Sequence, residues 1–200
     1  MIAVMRSELY RLATIRMWWL SILGAGVLTT GVGLLGDAAW ALVLGMAVFG
    51  FGVVFGTQHY QHRTAVLVFL AKPWRVPVLA GQTLVFALGM TAFAMVTGLP
   101  TLAGDPQSYV LGVMVTPPLA IFAVANAAIL RKPIVILAGY GGWFLVVEVL
   151  LGQLRLPGPF TAFINAAARS SPLMVFVSAF WAVAATAAAW WAIRRDMAGD

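Results

Sequence analysis

Apolar residues in this chain come in long blocks, and the polar positions are gathered between them. Six blocks approach membrane length, over 18–35, 38–55, 78–99, 110–130, 134–151 and 173–193. A helix of about 20 apolar residues crosses a hydrocarbon core of about 30 Å, so the pattern predicts six spans. The first two are separated by only Gly36 and Asp37 and also read as one long hairpin. Composition agrees with this pattern: 62% of residues are hydrophobic, 9% are charged and mean hydropathy is +0.98, whereas soluble domains carry about 25% charged residues. The expectation is an all-α integral membrane protein forming one transmembrane domain over 1–200.

Charge adds an orientation. With the N-terminus inside, Arg6, Arg11, Arg16, Arg63, Lys72, Arg75, Arg131, Lys132, Arg194 and Arg195 are cytoplasmic, while Arg155 and Arg169 are outside. Ten against two of the 12 basic residues is the asymmetry expected of cytoplasmic loops. It predicts a plasma-membrane protein with both termini in the cytoplasm, and Asp37 and Asp105 on outer turns. The net charge of +6 is then explained by loops beside anionic membrane lipids rather than by nucleic acid. Arg6, Glu8, Arg11 and Arg16 interrupt the first residues, so no cleavable signal peptide is expected and the N-terminus should be retained. Over 1–17, Ile2, Met5, Leu9 and Leu12 recur at helical spacing opposite Ser7, Arg11 and Thr14. That pattern predicts an interfacial helix on the inner leaflet, with Trp18 and Trp19 at headgroup level.

Groups able to do chemistry are few. Cysteine is absent, and no metalloprotease, nucleophile-elbow or phosphate-loop motif occurs, so neither a catalytic nor a metal site is predicted. His59 and His62 share a helical face but lack a nearby carboxylate, which makes at most half a metal site. Polar residues inside the spans are costly and mark either function or packing. Asn126 is expected to hydrogen-bond across helices. Glu148 either pairs with Arg155, seven residues on, or lines a cavity. Gly139, Gly141 and Gly142, with Tyr140 and Trp143, suit close helix packing or a substrate path. The outer loop over 152–172 is half-apolar and carries Pro157, Pro159 and Pro172, and its PFTAFINAAA segment is expected to dip back toward the bilayer as a re-entrant helix.

The segment 57–77 holds an apolar run, 64–71, of about two helical turns, too short to span, followed by Lys72, Pro73, Trp74 and Arg75. Pro73 and Pro77 end helical hydrogen bonding on its exit. Tyr60, His62, Thr64, Pro73, Arg75, Val78, Leu79 and Ala80 make this stretch resemble the permease subunits of ABC-2 type transporters, particularly actinobacterial ones, which read E-[FY]-R-H-x-T, then P-x-R, then V-L-A-A-K. The order of elements along the chain resembles them too. The resemblance implies a dimer of six-span subunits, homomeric or heteromeric, exporting or flipping a substrate. It also implies a cytoplasmic coupling helix between the second and third spans, contacting separate ATP-binding cassette subunits that hold the ATP and Mg. Thr64, Phe69, Leu70, Pro73 and Arg75 are the implied coupling residues. The sparsely polar spans favour a lipophilic or amphipathic substrate. His59 and Gln82 stand where the family pattern has Glu and Lys, a double change that strands neither charge but removes any role of that Glu. The competing expectations are a lipid-processing membrane enzyme and an accessory subunit without transport.

Overall fold

The computed structural model describes residues 5–7, 10, 14–61 and 75–196, with side chains undescribed at 59–61, 75–77, 193, 194 and 196. Among the described residues the chain is helical, without strands. Its helices are α1 (Arg16–Gly33), α2 (Asp37–Gln61), α3 (Arg75–Thr97), the short α4 (Leu99–Gly104), α5 (Pro106–Leu130), α6 (Pro133–Gly142), α7 (Pro159–Ala168) and α8 (Pro172–Asp196). From α6 the helix runs on as a π-helix, Trp143–Leu151. Five of these stretches are long and apolar enough to cross a bilayer: Asp37–Gln58, Val78–Thr97, Pro106–Leu130, Pro133–Leu151 and Pro172–Ala192. That is the make-up of a multi-pass membrane protein. The remaining long helix, α1, is diluted by Arg16, Ser21, Thr29, Thr30 and its glycines.

Boundaries moved for local reasons. The expected third span, 78–99, starts at Arg75 and stops at Thr97, because Gly98 packs against Trp40 and Tyr109 and Pro100 opens α4. The expected fourth span begins at Pro106 instead of 110. Asp105 caps α5, accepting from the backbone N–H groups of Gln107 and Ser108 at 3.0 and 3.3 Å, a favoured N-cap arrangement. Between α1 and α2 the chain reverses through Gly36, whose φ of 141° is open to glycine at no steric cost. Of the expected interfacial helix, residues 5–7, 10 and 14 are helical, while Ile2, Leu9, Arg11 and Leu12 lie outside the described residues. Thr64, Phe69, Leu70 and Pro73 also lie outside them, and Arg75 is placed only as the start of α3.

α5 is the axis of the fold, packed against α2, α3, α4, α6, α7 and α8. Helices in lipid gain little from burying apolar surface against one another and associate through close packing, which small residues permit. The tightest seam here joins α2 to α5. A Cβ on Gly52 would come within 2.5 Å of the Ala123 Cβ, and one on Gly56 within 2.5 Å of the Ala127 Cβ. Gly45, further up α2, lies against the Phe163 ring of α7. Trp40 fills a slot bordered by Gly33, Gly98 and Gly112 and is fully buried. The glycines expected to allow close packing, Gly139, Gly141 and Gly142, do not do so within the chain, since a Cβ at any of them would meet nothing within 4 Å. The helix that carries them is the least buried of the five, at 11% of its most apolar stretch.

Gly56→Val is therefore expected to lower the thermal midpoint of the detergent-solubilised chain, by the about 1–3 kcal/mol that overpacking a core costs. Gly139→Val should leave that midpoint nearly unchanged. Equal losses in the two variants would remove the α2–α5 seam as the site of tight packing.

Candidate functional site

α7 opens with Gly158 as N-cap and Pro159 in its first turn, a start that needs no donor from the proline. Its early backbone N–H groups still need an acceptor, and Glu148 on the π-helix supplies one. The Glu148 side chain is fully buried. Its Oε2 accepts the Thr161 N–H and its Oε1 accepts the Trp143 indole N–H at 3.0 Å. The carboxylate thus sits at the positive end of the α7 dipole, where negative charge is favoured. Gly158 makes the approach possible, since a Cβ there would overlap the carboxylate.

The local backbone is built around this contact. Trp143 and Glu148 are five apart, and the i→i+5 pairing of a π-helix, often found at functional sites, puts them within reach of each other. Immediately after the π-helix, Gln153 and Leu154 have φ of 43° and 56°, a left-handed pair that costs energy in non-glycine residues. This turn folds onto α7, with the Leu154 N–H donating to the Glu148 carbonyl at 2.7 Å and the Leu154 carbonyl accepting from Asn165 Nδ2 at 3.0 Å. Trp181 of α8 closes the loop by donating from Nε1 to the Pro157 carbonyl at 2.8 Å. The pairing of Glu148 with Arg155 is not formed: the left-handed turn leaves Arg155 exposed while the carboxylate turns inward. One turn apart on α7, Thr161 Oγ1 and Asn165 Oδ1 are buried without hydrogen-bond partners.

The other expected intramembrane polar residues assemble alongside. Asn126 Nδ2 donates to the Phe122 carbonyl at 2.8 Å, and Asn126 Oδ1 accepts from the Tyr140 hydroxyl at 2.7 Å. Tyr140 meets Phe49 and Phe122 edge-on, with ring centroids 5.3 Å apart in each case, a geometry the ring quadrupoles favour. Asn126, Tyr140, Trp143 and Glu148 thus form two hydrogen-bonded pairs. Both pairs stand behind one cleft of about 410 Å³, whose walls include Tyr140, Trp143, Pro159 and Trp181. Gly158, Thr161 and Asn165 were not anticipated from sequence, although the Gly-Pro pair at 158–159 is a legible helix start. Among the described residues, no three His, Asp or Glu side chains come together as a metal site would need. Comparison with family models, curated proteins and solved structures finds nothing that matches this chain, so the site is defined by its own geometry.

A second polar cluster ties the neighbouring turns. Ser108 Oγ donates to Asp105 Oδ2 at 2.7 Å and lies 2.9 Å from Ser170 Oγ, in the turn between α7 and α8. The Ser108 hydroxyl, helped by its backbone N–H, holds the Asp105 carboxyl below its ordinary range.

Two outcomes follow. Glu148→Leu strands the Thr161 and Trp143 donors, at about 1–3 kcal/mol for each buried unpaired group, whereas Glu148→Gln retains an acceptor. Thermal midpoints should fall in the order wild type, Glu148→Gln, Glu148→Leu, and identical midpoints for the two variants would overturn the capping role. Asp105 has a depressed folded-state pKa, so its contribution is complete above the unfolded value of about 3.9 and is lost as pH falls through the lower folded value. The melting midpoint of wild type should drop on acidification through this range, and that of Asp105→Asn should not.

Proposed function

We propose that this chain is the permease subunit of an ATP-driven exporter or flippase of the ABC-2 type, moving a lipophilic or amphipathic substrate out of the cytoplasm or the inner leaflet. In this reading α1 is a sixth span, both termini are cytoplasmic, and α7 is the re-entrant helix. Two such subunits, identical or not, pair with separate ATP-binding cassette subunits that bind ATP and Mg.

The observation that carries the reading is the position of α2. Its C-terminal end leads into the segment proposed to couple to the ATPase, and its body lies along α5 at Gly52 and Gly56 and against Phe163 of α7 at Gly45. A push on the coupling segment would be passed by a close-packed helix to α7, whose first turn is held by Glu148. Coupling between distant sites travels through such contiguous packed elements. The free energy for the switch comes from the partner's differential binding of nucleotide in its two states. The basic residues Arg16, Arg131, Lys132 and Arg195 occur at the helix ends on the coupling side, which supports placing that side in the cytoplasm. Polar groups in the core are few and stand behind aromatic walls, which suits an amphipathic cargo better than a bare ion or a sugar polymer.

Phe69→Asp combined with Leu70→Asp tests this reading. Interfaces concentrate their energy in a few buried apolar anchors, and an unpaired carboxylate buried there costs several kcal/mol. The double variant should reach the membrane at wild-type abundance yet lose both ATPase pull-down and transport. Retention of the ATPase at wild-type level would sink the coupling assignment.

A further inference from the structure

α1 and α3 both lean on α2, through Trp18 against Phe51 at a centroid distance of 5.5 Å and through Phe86 stacked on Phe55 at 5.1 Å. Between them runs an open apolar trench of about 1070 Å³. We infer that the half of this trench next to Arg16 binds one bilayer phospholipid with an anionic headgroup, its acyl chain lying between α1 and α3 and its phosphate at Arg16. The inference goes beyond the exporter reading and rests on it only in taking α1 to cross the membrane.

Three features of the trench select this occupant. The first is length. α1 and α3 come together at Gly26, where a Cβ would lie 3.5 Å from the Phe93 ring. From Arg16 to Gly26 a helix rises about 15 Å, half of a hydrocarbon core of about 30 Å and so the depth of one leaflet. The second is charge. Arg16, Trp19, Leu23 and Gly26 follow the three- and four-residue spacing that sets side chains on one helical face; Trp19, Leu23 and Gly26 line the trench, and Arg16, exposed, begins the same stripe at its mouth. A guanidinium beside tryptophans at the headgroup boundary matches a lipid phosphate. The third is open space. Gly89 of α3 lines the trench, and a Cβ there would meet nothing within 4 Å. The trench continues past Gly26 to Leu34 and Thr97, a length that a helix from a second copy would also fill, but Arg16 at its mouth offers an anionic headgroup a partner that an apolar helix does not use.

The test uses the full chain in nanodiscs of equal phosphatidylglycerol and phosphatidylcholine, followed by detergent extraction and native mass spectrometry of the lipids retained. Gly89→Leu fills the trench and improves the helix propensity of α3, so it should fold. Gly24→Leu is the control, since Gly24 also has open space around it but does not line the trench. Wild type and Gly24→Leu should retain phosphatidylglycerol preferentially, and Gly89→Leu should retain at least about tenfold less. Arg16→Glu should still bind phospholipid but lose its preference for the anionic headgroup by about tenfold. Equal retention in Gly89→Leu and wild type would overturn the site. So would a preference unchanged in Arg16→Glu, or a shift from dimer to monomer in Gly89→Leu with lipid retention intact, which would assign the trench to a second copy.

Discussion

The fold depends on how closely α2 can approach α5. In water, helices are driven together by removing apolar surface from solvent. In lipid the surroundings are as apolar as the side chains, and cohesion comes from contact at short range. Gly52 and Gly56, facing Ala123 and Ala127, remove the side-chain layer that would otherwise hold these helices apart. Once α2 is seated, Gly45 receives Phe163 and thereby locates α7. Trp40, at the other end of α2, fills the slot that joins α1, α5 and the break between α3 and α4.

Glu148 poses the opposite problem, because a carboxylate inside an apolar core costs energy unless its acceptor sites are filled. Here they are filled by groups that themselves needed partners, an N-terminal amide of α7 and an indole N–H turned inward from the protein surface. The left-handed turn at Gln153 and Leu154 and the glycine at 158 are local concessions that bring the two sides together. Each is unfavourable or unremarkable alone, and together they locate one hydrogen-bonded contact.

The long helices were legible because their signal is bulk apolarity over a known thickness, and α2, α3, α5 and α8 fall close to where the blocks predicted. Ends were less legible, since they are decided by single contacts such as Asp105 with Ser108 or Gly98 with Trp40, which join residues from different elements. The Gly52 and Gly56 pair is a small-xxx-small pattern visible in sequence, yet Gly139, Gly141 and Gly142 look equally suited to packing. Only the neighbours in space separate them. The same holds for Glu148: a buried carboxylate near an arginine suggests an ion pair, and it takes the direction of the following turn to send Arg155 away. That direction is set by two residues, Gln153 and Leu154, whose types do not announce a left-handed conformation.

The helices are held unevenly. The α2, α5 and α7 group is close-packed, while the helix of α6 and the π segment has 11% of its apolar stretch buried and α8 has 22%. A helix with little packed surface is attached by whatever specific bonds it makes, and regions with few buried contacts are the ones that open first. For the α6 and π segment those bonds are Tyr140 to Asn126 and Glu148 to Thr161, one to the central axis and one to α7. Tight packing transmits displacement, and sparse, directional bonds can be exchanged at low cost. In the proposed exporter a stroke delivered along α2 would reach α7 through close-packed contacts and be expressed at the Glu148 contact, a buried link between that group and the least buried of the spanning helices.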